Sequence, residues 1–299
     1  MNDSRLSRAL VIGTGLIGTS IALALTEKGV DVTLADRDPE NLRAAARLGA
    51  GVAAEETDGP ADLAVIAVPP SAVPRVLDDA RRRGLARAYT DVASVKGRVV
   101  QTLRRGGRPG ASHPAGRSAL TDYVPSHPMA GSETSGPGQA RADLFRGRPW
   151  VICPLPESAA AAIDAVRDLA VLTGAEVVEM DIEAHDRAVA LISHSPHLVS
   201  SAVAGTLTRA TPAAMRLAGR GIADVTRIAG GDPVLWSDIL RHNAKNVAAA
   251  LTDITAELTS IAAALELVGV GDQSSLDDVT RLLTRGRAGR QALLGEPAP

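Results

Sequence analysis

Gly13-Thr14-Gly15-Leu16-Ile17-Gly18 stands directly behind a short apolar run, Arg8–Ile12, and ahead of a segment whose apolar residues recur at helical spacing from Leu16 to Lys28. A glycine turn in that setting predicts a strand feeding a helix. The first glycine permits the tight turn, the second lets backbone approach a pyrophosphate, and the third lets the helix close on the strand. The helix N-terminus then faces negative charge with its N–H groups. Val30–Leu34 alternates as a second strand and leads to Asp36, about 20 residues past the glycines, where a carboxylate can accept hydrogen bonds from ribose hydroxyls. That favours NAD. Arg37 follows at once and suits a 2′-phosphate, which keeps NADP as the weaker alternative. A ligand-free turn or the adenosyl site of a methyltransferase could carry the same letters.

The remaining pattern extends the same architecture. A helix starts at Pro39 and stops at Gly49, and Leu63–Val68 is a continuous apolar run bounded by Asp62 and Pro69-Pro70. Such a run predicts a central strand covered on both faces, with Val68 and Pro69 at its cofactor end. Ala88–Val92, Tyr123–Ser126, Trp150–Cys153 and Glu176–Met180 are further strand candidates. After Asp181 only helical periodicity remains, with breaks near Ala210–Pro212, Gly219–Gly221, Gly230–Pro233 and Gly269–Gly271. The expected fold is α/β: a doubly wound, Rossmann-type domain over 1–181, then an all-helical domain over 182–299. The last helix is expected over Ser275–Arg285, with a disordered tail after about Gly286. The Gly, Pro and Arg-rich stretch Arg104–Asp122 reads as an exposed loop.

Composition removes several function classes. The 299 residues carry a formal net charge of -2, which leaves no basic surplus for nucleic acid. No signal peptide is expected, because Met1–Ile12 reaches a glycine after too few apolar residues, and no apolar stretch is read as reaching the ~20 residues of a membrane span. Cys153 is the sole cysteine, so no disulfide can close within the chain, and a reducing, cytoplasmic setting is expected.

Two polar clusters fall at predicted carboxyl ends of strands, where ligands of doubly wound sheets bind: Asp91-Val-Ala-Ser94-Val-Lys96 and Ser126-His127-Pro-Met-Ala-Gly131-Ser-Glu133. His127 suits proton removal near neutral pH, although a histidine before proline is more often a turn residue. His185-Asp-Arg-Ala-Val-Ala-Leu-Ile-Ser193-His194-Ser-Pro196-His197 sets polar side chains on an apolar helix kinked by Pro196. His194 and His197 lack accompanying ligand spacing, so no metal is expected. In Asp224-Val-Thr-Arg227-Ile-Ala-Gly-Gly-Asp232-Pro-Val-Leu-Trp236, Arg227 could clamp a carboxylate while Asp224 orients it, or the two could form an ordinary surface pair.

The ordered set GTGLIGTS, strand-final Asp36, DVASVK, SHPMAGSE, RPWVICP, HDRAVALISHSPH and DVTRIAGGDPVLW resembles the prephenate/arogenate dehydrogenase (TyrA) family, over roughly residues 8 to 265 and with an actinobacterial flavour. The resemblance implies oxidative decarboxylation of a cyclohexadienol such as prephenate, yielding 4-hydroxyphenylpyruvate, carbon dioxide and NADH in tyrosine biosynthesis. It places His127 at the ring C4 hydroxyl, Ser94 in the same hydrogen-bond network, Arg227 on a substrate carboxylate and His197 near the side-chain end. Glu133, His185 and Trp236 match motif positions as lining, domain-contact or gating residues. It also implies a homodimer through the helical domain, which the apolar stretch Asn246–Leu267 supports.

The chain departs from the family in its long Arg104–Asp122 loop, where Ser112-His113-Pro-Ala-Gly116 is a decoy copy of the histidine motif. It ends too early for an ACT domain, so tyrosine feedback through one is not expected, and nothing resembles a fused chorismate mutase. Arogenate or 4-amino-4-deoxyprephenate would make the same demand on His127. An imine or 3-hydroxyacid reductase and a non-catalytic NADH sensor are the readings from other classes.

Overall fold

The computed structural model describes residues 6–55, 59–106, 120–131 and 136–295. Its first half alternates strands and helices: β1 (Arg8–Ile12), α1 (Leu16–Glu27), β2 (Asp31–Ala35), α2 (Pro39–Arg47), β3 (Val52–Ala53), β4 (Ala61–Ile66), α3 (Val73–Arg82), β5 (Ala86–Asp91) and α4 (Gly97–Gly106). The five strands form one parallel sheet in the order β3-β2-β1-β4-β5. β4 is buried along almost its whole length, because helices cover both faces of the sheet. Val11, Ile21, Leu25, Leu34, Leu63 and Val65 lead the core on one face; Leu10, Ala64, Ile66, Leu77, Tyr89 and Val99 lead it on the other.

Register decides where chemistry can occur. Ile12 pairs with Ala35 and with Ile66, and Ile66 pairs with Asp91, so these four strands end level. The glycine turn, Asp36, Val68-Pro69 and the Asp91–Lys96 segment therefore meet along one edge. At the turn Gly13 has φ +103, and a Cβ there would lie 2.2 Å from the Ala67 carbonyl oxygen. Only glycine lets the first turn pass that close to β4.

Past residue 120 the chain runs beside β5, with Tyr123 bridged to Tyr89, and enters a separate three-stranded sheet. This sheet holds β6 (Ser126–Pro128), antiparallel to β7 (Pro149–Ile152), and β8 (Glu176–Glu179), parallel to β7, with α5 (Ala160–Leu172) between the last two. Of the later strands expected, Trp150–Cys153 and Glu176–Met180 correspond to β7 and β8, whereas Tyr123–Ser126 only bridges β5 at Tyr123 and the strand itself starts at Ser126; β6, β7 and β8 build a second sheet instead of widening the first. The rest is helical: α6 (Ile182–Val189), a π-helical turn Ala190–His194, α7 (Ser195–Thr206), α8 (Pro212–Met215), α9 (Arg220–Thr226), a 3₁₀ turn Arg227–Gly230, α10 (Pro233–His242), α11 (Ala244–Gly269) and α12 (Leu276–Leu294).

Three expectations need correcting. The Pro196 kink takes the form of a π turn just ahead of it, which accommodates a proline in the first turn of α7. Order does not stop at Gly286, because α12 continues to Leu294 and ends on Gly295 with φ +67, the usual glycine stop. α11 has the length and apolarity of a membrane span, contrary to the sequence reading, although its apolar window is mostly exposed in the single chain. The expected change from α/β to all-helical structure falls near residue 181, while contact compactness groups α6 to α10 with the sheets as Met1–Ala244 and leaves Lys245–Pro299 as a second unit. His113 and most of the Arg104–Asp122 loop lie outside the described residues.

Replacing Gly13 by alanine forces a left-handed residue against the Ala67 carbonyl. A loss of about 1–3 kcal/mol is expected, read as a lower urea midpoint together with weakened dinucleotide binding.

Candidate active site

Asp36 is held before any ligand arrives. Its Oδ2 accepts the Thr14 N–H at 2.6 Å and the Thr14 hydroxyl at 2.9 Å, and its Oδ1 accepts the Asp38 N–H at 2.8 Å. The carboxylate is thereby locked at the end of β2 against the glycine turn. α1 starts from Gly15 with no side-chain cap and no acidic residue in its first turn. Its first N–H groups are therefore available to an anion. Gly13, Thr14, Gly15, Leu16, Ile17, Gly18, Asp36, Val68 and Pro69 thus share the edge predicted for a dinucleotide, and Arg37 is exposed beside them.

His127 enters on β6, next to the end of β5, because Ser126 is fastened there. The Ser126 hydroxyl lies 2.9 Å from that of Thr90 and donates to the Asp91 carbonyl at 3.1 Å. His127 Nδ1 is 3.0 Å from His185 Nε2, and His185 Nδ1 is 2.9 Å from Asp186 Oδ1. Burial opposes the charge on Asp186, yet hydrogen bonds from His185 and from the backbone of Lys96 and Gly97, the last two at 2.9 and 2.8 Å, hold its carboxyl below the usual value. An ionised carboxylate only accepts, so hydrogen-bond logic assigns the proton of His185 to Nδ1 and leaves its Nε2 as acceptor. His127 then donates from Nδ1. Its Nε2 is left as a lone pair. Burial, followed by the neighbouring charges of His185, Lys96 and His194, pushes the His127 imidazole well below its ordinary range and keeps it neutral.

A second group assembles on the helices. Asn243 Nδ2 donates to the Asp186 carbonyl at 2.7 Å and lies 3.1 Å from His194 Nδ1. The first contact fixes the amide orientation, so His194 accepts at Nδ1 and carries its proton on Nε2. That Nε2–H, the hydroxyls of Ser94 and Ser195 and His197 Nδ1 are buried and make no hydrogen bond among the described residues. Buried polar atoms of this kind mark where a polar ligand is met. Burial lowers the pKa of His194 to about 4 and that of His197 below normal. Trp236 stacks on His197 at 3.6 Å with 13° between the rings, and meets His194 edge-on at 6.0 Å. These contacts draw His194 and His197 into a polar aromatic wall.

Ser94 sits on a braced loop. Lys96 Nζ is 2.5 Å from Asp91 Oδ1, Tyr123 donates to Asp91 Oδ2 at 2.5 Å, and Asp91 Oδ1 also accepts the Ala93 N–H; all three side chains that form the network are fully buried. His127 Nδ1 takes His185 as its partner, and the Ser94 hydroxyl makes no hydrogen bond among the described residues, which leaves it for the substrate hydroxyl, the other role expected of it. Arg227 opens the exposed 3₁₀ turn that packs on α7, the helix of His197. Glu133 lies outside the described residues.

Two family models divide the chain between them: the prephenate dehydrogenase nucleotide-binding domain over residues 21–179 and the prephenate dehydrogenase dimerization domain over 181–284. This chain belongs to the prephenate dehydrogenase family. The protein named "Probable prephenate dehydrogenase NovF" of Streptomyces niveus is 41% identical over 92% of this chain and 73% of its own length. A cyclohexadienyl dehydrogenase of Zymomonas mobilis is 32% identical over 85% of this chain and 87% of its own. The crystal structure of Aquifex aeolicus prephenate dehydrogenase, in complex with hydroxyphenyl propionate and NAD+, superposes with a TM-score of 0.82 at 25% identity, covering 98% of this chain and all of that one. The α/β architecture with a helical C-terminal part is that of the family.

Within this prephenate dehydrogenase family frame, sequence reasoning left Asp186, His194 and Asn243 without roles. The adjacency His185-Asp186 was the one available signal for the first of them.

His194 has a stability consequence. Its folded pKa of about 4 lies below the ~6.5 of an unfolded imidazole, so the unfolded chain binds more protons between those values. Stability is present above that window and is lost as pH falls through it, by about 3 kcal/mol for this group. His127 acts in the same direction. Urea midpoints measured from pH 7 to 4 are expected to fall less steeply in His194→Gln.

Proposed function

We propose that this protein oxidatively decarboxylates prephenate to 4-hydroxyphenylpyruvate with NAD, as a step of tyrosine biosynthesis. The carrying observation is the Asp186–His185–His127 relay, which leaves His127 Nε2 as an acceptor beside the dinucleotide edge. Bound NAD supplies the electron sink for the hydride that leaves ring C4. His127 Nε2 accepts the C4 hydroxyl hydrogen bond and takes the proton as positive charge develops there. The bond from the ring to its carboxylate breaks and delivers its electron pair into the ring, carbon dioxide departs, and the proton returns to the phenol oxygen. The relay spreads the charge on His127 toward the ionised Asp186, so no solvent has to reorganise at that moment.

The other residues bind and orient. Ser94 and the Nε2–H of His194 supply buried polar atoms toward the substrate, and His197 and Trp236 form a wall for its side chain. Arg227, on the turn against α7, takes a substrate carboxylate as a bidentate partner. Asp36 favours the unphosphorylated ribose of NAD, because its carboxylate is fixed where a 2′-phosphate would add like charge. The dimerization-domain match supports a homodimer, and Leu258, Leu265 and Leu267 of α11 are exposed apolar residues that a second copy would cover. The lone, buried Cys153 thiol fits a cytoplasmic location.

The deciding assay follows NADH absorbance with prephenate, arogenate and 4-amino-4-deoxyprephenate supplied separately, each with NAD or NADP. Turnover is expected with prephenate and NAD, and its absence there overturns the reading. His127→Asn should abolish it. Asp186→Asn lets His185 adopt the opposite tautomer and turns the relay around, so kcat is expected to drop roughly 10²-fold or more at neutral pH. The acid limb of kcat/KM should fall below the ordinary histidine range, because the base is active only when neutral and its pKa is depressed. Arg227→Ala should raise KM far more than it lowers kcat. Light scattering should report a dimer that Leu258→Asp with Leu265→Asp converts to monomer.

A further inference from the structure

One polar contact spans the first compact unit between groups that the reaction itself does not employ. Asp238, on α10, accepts the backbone N–H of Ser71 through Oδ2 at 2.9 Å, across 167 positions of sequence. Ser71 belongs to the Pro69–Ala72 turn that leaves β4, where Ala72 donates to the Pro69 carbonyl at 2.9 Å. The following helix, α3, has Ala72 at its N-cap and no side-chain cap, and Asp238 ties down the residue just ahead of that cap by accepting the Ser71 N–H. The carboxylate is largely buried and its other oxygen accepts from Arg241 at 2.6 Å. Burial works against its charge, but the Ser71 and Arg241 hydrogen bonds and the nearby His242 outweigh it and hold the carboxyl below the usual range.

What lies at each end of the contact gives it meaning. On the sheet side, the chain that reaches Ser71 has just passed Ala67 and Val68, which touch the glycine turn so closely that a Cβ on Gly13 would meet Ala67 O at 2.2 Å and Val68 Cγ1 at 3.1 Å. On the helical side, Asp238 stands two residues after Trp236, which stacks on His197. A shift of the glycine turn therefore bears on β4's exit turn, on Asp238, and through α10 on the Trp236–His197 wall. Those two places are the ones assigned above to dinucleotide and to substrate.

We propose that Asp238 is a positioning residue that couples the dinucleotide site to the substrate site, so that each ligand strengthens the binding of the other through the Asp238–Ser71 hydrogen bond. The proposal rests on the assignment of those two sites under Proposed function. Coupling of this kind is reciprocal and is measured as a ratio of dissociation constants.

The test is calorimetric titration of NAD into the full-length protein, with and without saturating 4-hydroxyphenylpropionate, and the reverse titration. In the wild type each ligand is expected to tighten the other on the order of tenfold. Asp238→Ala should bring that ratio close to one while changing each Kd measured alone by no more than about threefold. Asp238→Asn keeps an oxygen for the Ser71 N–H and should retain most of the coupling, which a loss of general stability would not produce. Circular dichroism melts confirm that the variants fold, and if Asp238→Ala does not, Asp238→Leu or Ser71→Pro, which deletes the donor instead, reads the same ratio. An unchanged ratio in the variant that lacks the contact overturns the proposal, as does a wild-type ratio of one. If neither ligand binds the wild type, the assignment of the sites themselves has failed, and that arm alone reports it.

Discussion

The Asp186 carboxylate joins parts of the molecule that would otherwise be independent. One oxygen accepts hydrogen bonds from the Nδ1–H of His185 and the backbone N–H of Lys96, and the other accepts from the N–H of Gly97, at the start of α4. The negative charge thereby sits at a helix N-terminus, where the macrodipole favours it, and stays ionised despite burial. Ionisation forces the tautomer of His185, which forces that of His127. The same group thus fixes the Ser94 loop in space and the electronic state of the base.

Beneath this anchor lies a second buried charge pair, Asp91 with Lys96, completed by the Tyr123 hydroxyl. Such a pair contributes little net stability, because desolvation offsets its attraction, but removing one partner leaves an uncompensated charge. Its value is geometric. It closes the loop from the end of β5 to α4 around Ser94, and Ser126 reaches the same strand end through Thr90 and the Asp91 carbonyl. The two polar segments that stand apart in the sequence are thus clamped to a single strand terminus.

Much of this was legible before any coordinates. The glycine turn and Asp36 announce themselves because the chemistry is local: a strand, a tight turn and a helix follow one another within a few residues. His127 stood out because it follows a predicted strand beside the dinucleotide motif, and Trp236 because aromatics make up only 2% of the chain. The relay did not, since His127 and His185 are 58 positions apart and nothing along the chain states that they touch. Asn243 was equally hidden: its amide reads as an ordinary helix end until the Asp186 carbonyl and His194 are seen beside it. The division of the strands into two sheets was missed because a short apolar run carries no mark of which neighbour it will pair with.

The π turn at Ala190–His194 has an effect reaching beyond its own residues. It places one surplus residue between the segment that bears His185 and the one that bears His194 and His197. In an α-helix each residue advances the face by about 100°, so a chain shortened by a single position there would keep every imidazole and still aim the two groups apart. The length of that short segment, as much as the identity of its side chains, therefore sets the geometry of the reaction centre.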